Sequence, residues 1–176
     1  MVRRKAPRLA LAVACAALTA CVVNLSFDMD QANIAVLTPM ASDISQSVLV
    51  DLGSYSDIRE HNGDIRSLDL EYVDVTITTV NSGNAAKTIN ARITLRKNLD
   101  DQPDFDVLVG DVASFQVQKN ATRRIQGNPQ LDAFLLERLH DGGKFYVIIT
   151  GTTDNKTDLA LDVNLHASMA YDSGLF

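Results

Sequence analysis

The chain has 176 residues, two cysteines, no tryptophan and a formal net charge of −6. Its leading 20 residues carry four basic side chains and no acidic one, so the rest of the chain has a net charge of −10. Nucleic acid and anionic lipid headgroups are bound mainly through Lys and Arg. An acidic chain of this kind is therefore not expected to bind either of them through its own surface.

The first residues follow the pattern of a secretory signal peptide. A basic start leads into the uncharged apolar run Leu9–Leu18 and then into small residues. The run is too short for a permanent membrane span, which takes about 20 residues. We therefore expect residues 1–20 to be a cleaved leader and residues 21–176 to form one domain with a substantial core. The basic residues of the leader are Arg3, Arg4, Lys5 and Arg8.

The end of this leader, Leu18-Thr19-Ala20-Cys21, resembles the lipobox of bacterial lipoproteins. The resemblance implies cleavage between Ala20 and Cys21, a diacylglycerol thioether on Cys21 and usually an acyl chain on its new amino group. It also favours the outer membrane of a Gram-negative cell, because Val22 rather than an aspartate follows the cysteine. Two or three acyl chains would hold the chain firmly, since each buried methylene contributes about 0.8 kcal/mol. The alternative is an ordinary secretory leader cleaved after Ala20, in which Cys21 has no role.

The other cysteine, Cys15, lies inside the leader. The folded domain therefore contains no disulfide and no thiolate metal site, and its core must hold it together. Lipoproteins often carry a flexible spacer after the lipid-bearing cysteine, but here a strand pattern starts at Val23. Either the domain sits almost on the membrane, or this first segment is extended and unpaired. We expect close apposition.

Two-residue periodicity, the signature of half-buried strands, dominates the chain after residue 21. It covers Val23–Met29 and Thr88–Arg96 and is nearly unbroken over Asp158–Tyr171. Phe145–Ile149 is apolar on both faces, which predicts a central buried strand. Shorter strand candidates are Ile34–Leu37, Val48–Leu52, Val107–Val109 and Ala113–Val117.

The segment Leu68–Ile77 changes its phase in the middle. Leu68, Leu70 and Tyr72 share one face of the predicted strand, whereas the apolar residues from Val73 onward fall on the other. We expect a bulge near Tyr72 and Val73, because a one-residue slip exchanges the two faces. Such a bend would allow one long strand to serve two sheets.

One helix is predicted over about residues 129–140. Asn128 is a good N-cap, Pro129 suits the first helical position and Asp141-Gly142-Gly143 ends the helix. Its apolar stripe consists of Leu131, Phe134, Leu135 and Leu139.

Together these elements predict an all-β fold, an antiparallel immunoglobulin-like β-sandwich with one short helix. Val73–Leu95, which reads as two alternating strands around an Asn-rich turn, and Gly151 after a strand resemble the LEA-type-2 immunoglobulin-like sandwiches. The Asn-Pro-Asn-like turn of that family is missing. We therefore carry over none of its residues, and the resemblance implies only the sandwich.

A crowded acidic loop is the one candidate metal site. Its carboxylates belong to Asp100, Asp101, Asp104 and Asp106, and calcium prefers oxygen ligands of this kind. The spacing does not match an EF-hand. The alternative is a solvated loop that protects a sheet edge from pairing. No other cofactor is expected.

No catalytic motif stands out. The chain lacks HExxH, Gly-x-Ser-x-Gly and a phosphate-binding glycine loop, and its histidines are His61, His140 and His166. His166 falls on the polar face of its strand, and His140 lies at a helix end, where it meets the negative end of the helix dipole. Arg123 and Arg124 form a basic pair that could meet an anionic partner or a surface glycan. We interpret it as an exposed turn that balances nearby carboxylates. A catalytic triad assembled from distant residues would be recognised only by geometry.

From these observations we expect a non-enzymatic, membrane-anchored lipoprotein of the cell envelope that binds a partner protein or supports an envelope assembly. Its contact with the membrane is expected to run through the lipid. The first alternative is a carrier of a small apolar ligand, such as a lipid, held between the sheets. The second alternative is an envelope hydrolase.

Overall fold

The computed structural model describes residues 22–61 and 63–173, so the leader and Cys21 lie outside the described residues. Eight strands form two four-stranded sheets. The strands are β1 (Val22–Thr38), β2 (Asp43–Asp51), β3 (Ile65–Val80), β4 (Thr88–Arg96), β5 (Val107–Gln116), β6 (Thr122–Gln126), β7 (Lys144–Thr153) and β8 (Thr157–Asp172). The helices are α1 (Ser56–His61) and α2 (Pro129–His140).

The predicted all-β sandwich of antiparallel strands is confirmed. One sheet has the strand order β1-β8-β3-β6 and the other β2-β7-β4-β5. Eight strands in these two sheets make a jelly roll. The order differs from that of an immunoglobulin domain, where the first two strands are neighbours in one sheet. Here β1 pairs with β8 and β2 pairs with β7. Strand pairing depends on contacts between distant parts of the chain, which periodicity within one strand does not reveal.

β1 is longer than the sequence pattern indicates. It joins two of the predicted strands across a bulge between Gln31 and Ile34, where Asn33 adopts a positive φ of 60°. Phe27 and Met29 are buried, as their phase predicts. β1 is already paired with β8 at Val22, so the alternative of an unpaired first segment is wrong. The two short candidates near residues 107–117 likewise merge into one strand, β5.

β3 contains the predicted bulge. Its register with β8 shifts between Leu70 and Tyr72, and the apolar residues on both sides of the shift face the same core. The expectation that this strand serves two sheets is wrong, since β3 pairs only within the β1-β8-β3-β6 sheet. Backbone groups at the bulge are satisfied from the β6–α2 segment, because Glu71 accepts a hydrogen bond from Gly127 at 3.0 Å and Leu70 donates one to Asp132 at 2.9 Å. Burial raises the pKa of the Asp132 carboxyl.

α2 forms as predicted. The side chain of Asn128 accepts hydrogen bonds from the amides of Gln130 and Leu131, and Pro129 is the first helical residue. Gly142 and Gly143 follow the helix with positive φ values of 83° and 73°, which glycine adopts without strain. Leu131, Leu135 and Leu139 are buried against the core. The short helix α1 has no counterpart among the predicted elements, and its Ile58 is fully buried.

Candidate functional site

A groove of about 610 Å³ opens between α2 and the loop that joins β4 to β5. Its walls combine apolar and charged side chains. They are Arg96, Lys97, Asp101, Phe105, Val107, Gln130, Ala133, Phe134, Glu137 and Arg138. The helix contributes one face, and the loop after β4 contributes the other.

A shielded ion pair fixes the loop side of the groove. Arg96 donates to Asp106 through Nε at 2.6 Å and Nη2 at 2.9 Å, and the two side chains are 15% and 8% exposed. Thr94 donates a further hydrogen bond to Asp106 at 2.9 Å. The hydrogen bond from Arg96 is the main cause that lowers the pKa of the Asp106 carboxyl. One bidentate pair of this kind positions a loop more firmly than a single exposed hydrogen bond.

Phe105 lies next to this ion pair and is 77% exposed. It ends a 3₁₀ turn over Pro103–Phe105, in which its amide donates to Gln102 at 3.1 Å. Leu99 on the same loop is also exposed. The loop therefore presents a large aromatic side chain to solvent at the lip of the groove while its own backbone stays hydrogen-bonded.

Arg138 lines the helix side of the groove although its side chain is only 2% exposed. Nη1 donates to Asp141 at 3.0 Å, Nη2 donates to Glu137 at 2.5 Å, and Nε has no partner among the described residues. The neighbouring Phe134 packs edge-on against Phe145 with ring centroids 5.7 Å apart. A buried guanidinium beside an aromatic ring is thus part of the groove wall.

Neither Phe105 nor Arg138 is among the site residues predicted from the sequence. Arg138 lies four residues after Phe134, on the phase of the apolar stripe, and a charged residue at that phase is a signal that the sequence does contain. Phe105 stands out only as an aromatic residue in an acidic loop. The groove itself joins segments about 30 residues apart in sequence, which no local pattern connects.

The structure places the four aspartates of the predicted calcium site on this same loop. Asp106 is held by Arg96, and Asp101 accepts a hydrogen bond from the backbone of Asn98 at 2.9 Å. Asp100 and Asp104 are exposed. Within residues 22–61 and 63–173, no cluster of three or more His, Cys, Asp or Glu side chains is arranged to hold a metal ion. Calcium binding by Asp100, Asp101, Asp104 and Asp106 stays a prediction.

The three histidines occupy separate places. His61 stacks on Tyr171 with ring centroids 3.8 Å apart, and His140 is the exposed last residue of α2. His166 lies on the outer face of its sheet, with Nδ1 2.8 Å from Asp28 and Nε2 3.7 Å from Glu71. A triad needs a hydroxyl at the second ring nitrogen, whereas a carboxylate lies 3.7 Å from that nitrogen here.

The basic pair is part of a strand rather than a turn. Arg123 and Arg124 belong to the exposed edge strand β6. Arg124 pairs with Asp74 at 2.6 Å and lies over the ring of Tyr72 at 3.5 Å from its centroid. Its charge is therefore balanced locally, as the sequence interpretation expected.

The space between the two sheets is filled by side chains. An enclosed apolar void there measures about 20 Å³ and is lined by residues of both sheets, including Val36, Val75 and Ile149. Pockets that hold small molecules measure roughly 300–1,000 Å³. The packed core thus leaves no room for a lipid at this void without separation of the sheets.

No family model matches the chain, and no curated protein matches it in sequence. Solved structures of viruses and of one viral capsid protein are similar to the chain at low identity. A Desmodium yellow mottle tymovirus structure shares 10% identity over 98% of this chain and 95% of that one, with a TM-score of 0.40. A decameric BFDV capsid protein shares 6% over 85% and 99%, with a TM-score of 0.44. Turnip yellow mosaic virus shares 11% over 88% and 95%, with a TM-score of 0.36. At these values the similarity says nothing about the function of this chain.

No helix in the described part of the chain is long and apolar enough to cross a membrane.

Proposed function

We propose that this protein is a non-enzymatic lipoprotein of the cell envelope, anchored through lipid on Cys21, that binds a partner protein in the groove between α2 and the β4–β5 loop. The lipobox and its valine at the next position support the anchor and, in a Gram-negative cell, the outer membrane. The observation that carries the binding function is the exposed Phe105 on a loop held in place by the Arg96–Asp106 pair.

The composition of the groove suits a protein partner. Aromatic and arginine side chains supply much of the binding energy at protein interfaces. Here Phe105 and Phe134 provide apolar area, and Arg96 and Arg138 stand beside them. Each of these two arginines already has a carboxylate partner. A free small anion would have to compete with those carboxylates, whereas an apolar side chain of a protein would not.

Burial of Phe105 by the partner should contribute roughly 2 kcal/mol. Replacement by alanine should therefore weaken binding about 30-fold. The carrier alternative has less support, because the void between the sheets measures about 20 Å³. The hydrolase alternative has less support too, because Glu71 rather than a hydroxyl faces the second nitrogen of His166.

The test places a photo-crosslinking phenylalanine analogue at position 105 of the full chain in its native cells. We expect one discrete adduct, and we expect Ala133→Arg in the same chain to remove it, because exposed Ala133 lines the groove. Ala41→Arg is the matched control at an exposed alanine outside the groove, and it should leave the adduct unchanged. An absent adduct, or one that Ala133→Arg does not affect, would contradict the proposed function.

A further inference from the structure

The chain leaves no spacer between the proposed lipid site and the folded domain. Val22, the residue after Cys21, is already paired in the sheet with Asp172 of β8. Consecutive Cα atoms are only 3.8 Å apart. A lipid on Cys21 therefore brings the start of β1 to the membrane surface, together with whatever surrounds it.

The strand register shows what surrounds it. Val23 pairs with Tyr171, which pairs with Ile65 at the start of β3. The amide of Asp172 donates to Asp64 at 3.0 Å. The last residue of α1, His61, stacks on the ring of Tyr171. We call this end of the sandwich, formed by the start of β1, the end of β8, the start of β3 and the end of α1, the anchor end.

The opposite end of the same sheet is far from it. β1 spans 17 residues, or about 50 Å at the usual rise of a strand. Its last residues, Leu37 and Thr38, pair with Asp158 and Thr157 at the start of β8. The turn between β1 and β2 follows, and Leu37 and Met40 are exposed there at 65% and 64%. A label at the anchor end and a label at this turn are thus separated by most of the length of the molecule.

The side chains of the anchor end suit a surface that rests against lipid headgroups rather than one that inserts into the bilayer. The His61–Tyr171 stack and half-exposed Val22 provide amphipathic and apolar groups of the kind found at membrane interfaces. Among the described residues there, the charged side chains are Arg59 and Arg66 against Glu60, Asp64 and Asp172, so carboxylates outnumber cations. Such a surface has no attraction of its own for anionic lipid and touches the membrane only because the lipid anchor holds it there.

We infer that the phospholipid headgroup surface is the partner of the anchor end, and that the long strands stand upright on the membrane with the β1–β2 turn pointing away from it. This orientation rests on the proposed lipid on Cys21. α2 begins in the lower half of the upright molecule. Asp132 of α2 contacts Leu70 of β3. Through Ala167 of β8, Leu70 lies level with Phe27, which is only five residues along β1 from Val22. The groove, which α2 lines, then lies in the same half of the molecule, within reach of a protein in or next to the membrane.

Single-cysteine labelling tests the orientation cleanly, because the mature chain has no cysteine other than Cys21. The full chain is processed in cells, purified and reconstituted into phosphatidylethanolamine and phosphatidylglycerol vesicles that carry a headgroup spin label. A fluorophore is attached at Glu60→Cys beside the anchor end or at Met40→Cys in the far turn; both positions are exposed, so neither change should disturb folding. Arg59→Cys repeats the anchor-end measurement.

We expect strong loss of fluorescence at positions 60 and 59 and no loss at position 40. Equal quenching at both ends would mean that the domain lies on its side. No quenching at either end would mean that the domain is held away from the membrane. Either result would overturn the inference without contradicting lipid attachment at Cys21. Flotation separates these from failure of the anchor itself, since a chain without lipid on Cys21 would not float with the vesicles. A Cys21→Ser chain from which residues 1–20 are also removed should not bind the same vesicles, and binding by it would contradict the passive character of the anchor end.

Discussion

The ion pair between Arg96 and Asp106 should stabilise the whole domain and hold Phe105 in place. Asp106→Asn keeps the shape of the side chain but removes its charge, which leaves the shielded guanidinium of Arg96 without a carboxylate. A hydrogen bond between charged groups contributes about 1.5–3 kcal/mol, and this pair makes two with limited exposure to water. We expect a loss of about 2 kcal/mol, or roughly 4–8 °C in Tm for a domain of this size.

The pH dependence of this loss has a definite sign. Because Arg96 lowers the pKa of Asp106 in the folded protein, the pair contributes its full stability above the unfolded-state pKa of about 3.9. That contribution disappears as the pH falls through the still lower folded-state pKa. The Tm difference between wild type and Asp106→Asn should thus be full at neutral pH and shrink in strong acid.

Thermal unfolding followed by circular dichroism, on detergent-solubilised protein at several pH values, measures both effects. Asp104→Asn is the matched control, since Asp104 is an exposed aspartate on the same loop, and its Tm should change by no more than about 2 °C. An unchanged Tm for Asp106→Asn, or a difference that persists undiminished in strong acid, would refute the role given to the pair.

Three further outcomes follow from local geometry. Gly127→Ala should lower the free energy of unfolding by about 3 kcal/mol or prevent folding, because the new Cβ would lie 1.4 Å from the carbonyl oxygen of Leu70. Gly63→Ala is the control and should leave the Tm nearly unchanged, because a Cβ there meets nothing within 4 Å. Asn128→Ala should lower the free energy of unfolding by about 1 kcal/mol, because α2 loses its N-cap. Urea unfolding measures this loss, and Asn128→Ser should restore most of the lost stability. Calcium followed by chelator tests the acidic loop. A calcium site there requires a Tm that rises with calcium and falls with chelator, whereas an unchanged Tm would support the solvated loop, in which Asp106 is held by an arginine.

The elements that the sequence predicts well are those whose pattern is local. Thr88–Arg96 and the α2 boundaries match the structure, because strand alternation, an N-cap and terminating glycines all act within a few residues. The bulge in β3 is also visible as a change of phase between Leu70 and Val73. The sequence does not show that β3 stays in one sheet. After the change of phase, the apolar residues could face either the same core or a different one.

What the sequence could not predict depends on contacts between distant segments. The pairing of β1 with β8 decides the jelly-roll order, and alternation gives each strand a buried face without naming its neighbour. β6 has almost no apolar residues, so it reads as an exposed turn until β3 supplies its partner. α1 is too short to show helical periodicity. The groove depends on Arg96 meeting Asp106 beside α2, which only the folded chain brings together.

Lipid attachment at Cys21 is the claim on which the rest depends, and intact mass spectrometry of the protein from its native membranes tests it most directly. We predict a mature chain that starts at Cys21, lacks residues 1–20 and carries the additional mass of a diacylglycerol group, with or without an acyl chain on the amino group. The same chain with Cys21→Ser should be soluble or remain unprocessed. An unmodified Cys21 at the mature terminus, or a Cys21→Ser chain that stays in the membrane fraction as a processed protein, would contradict it.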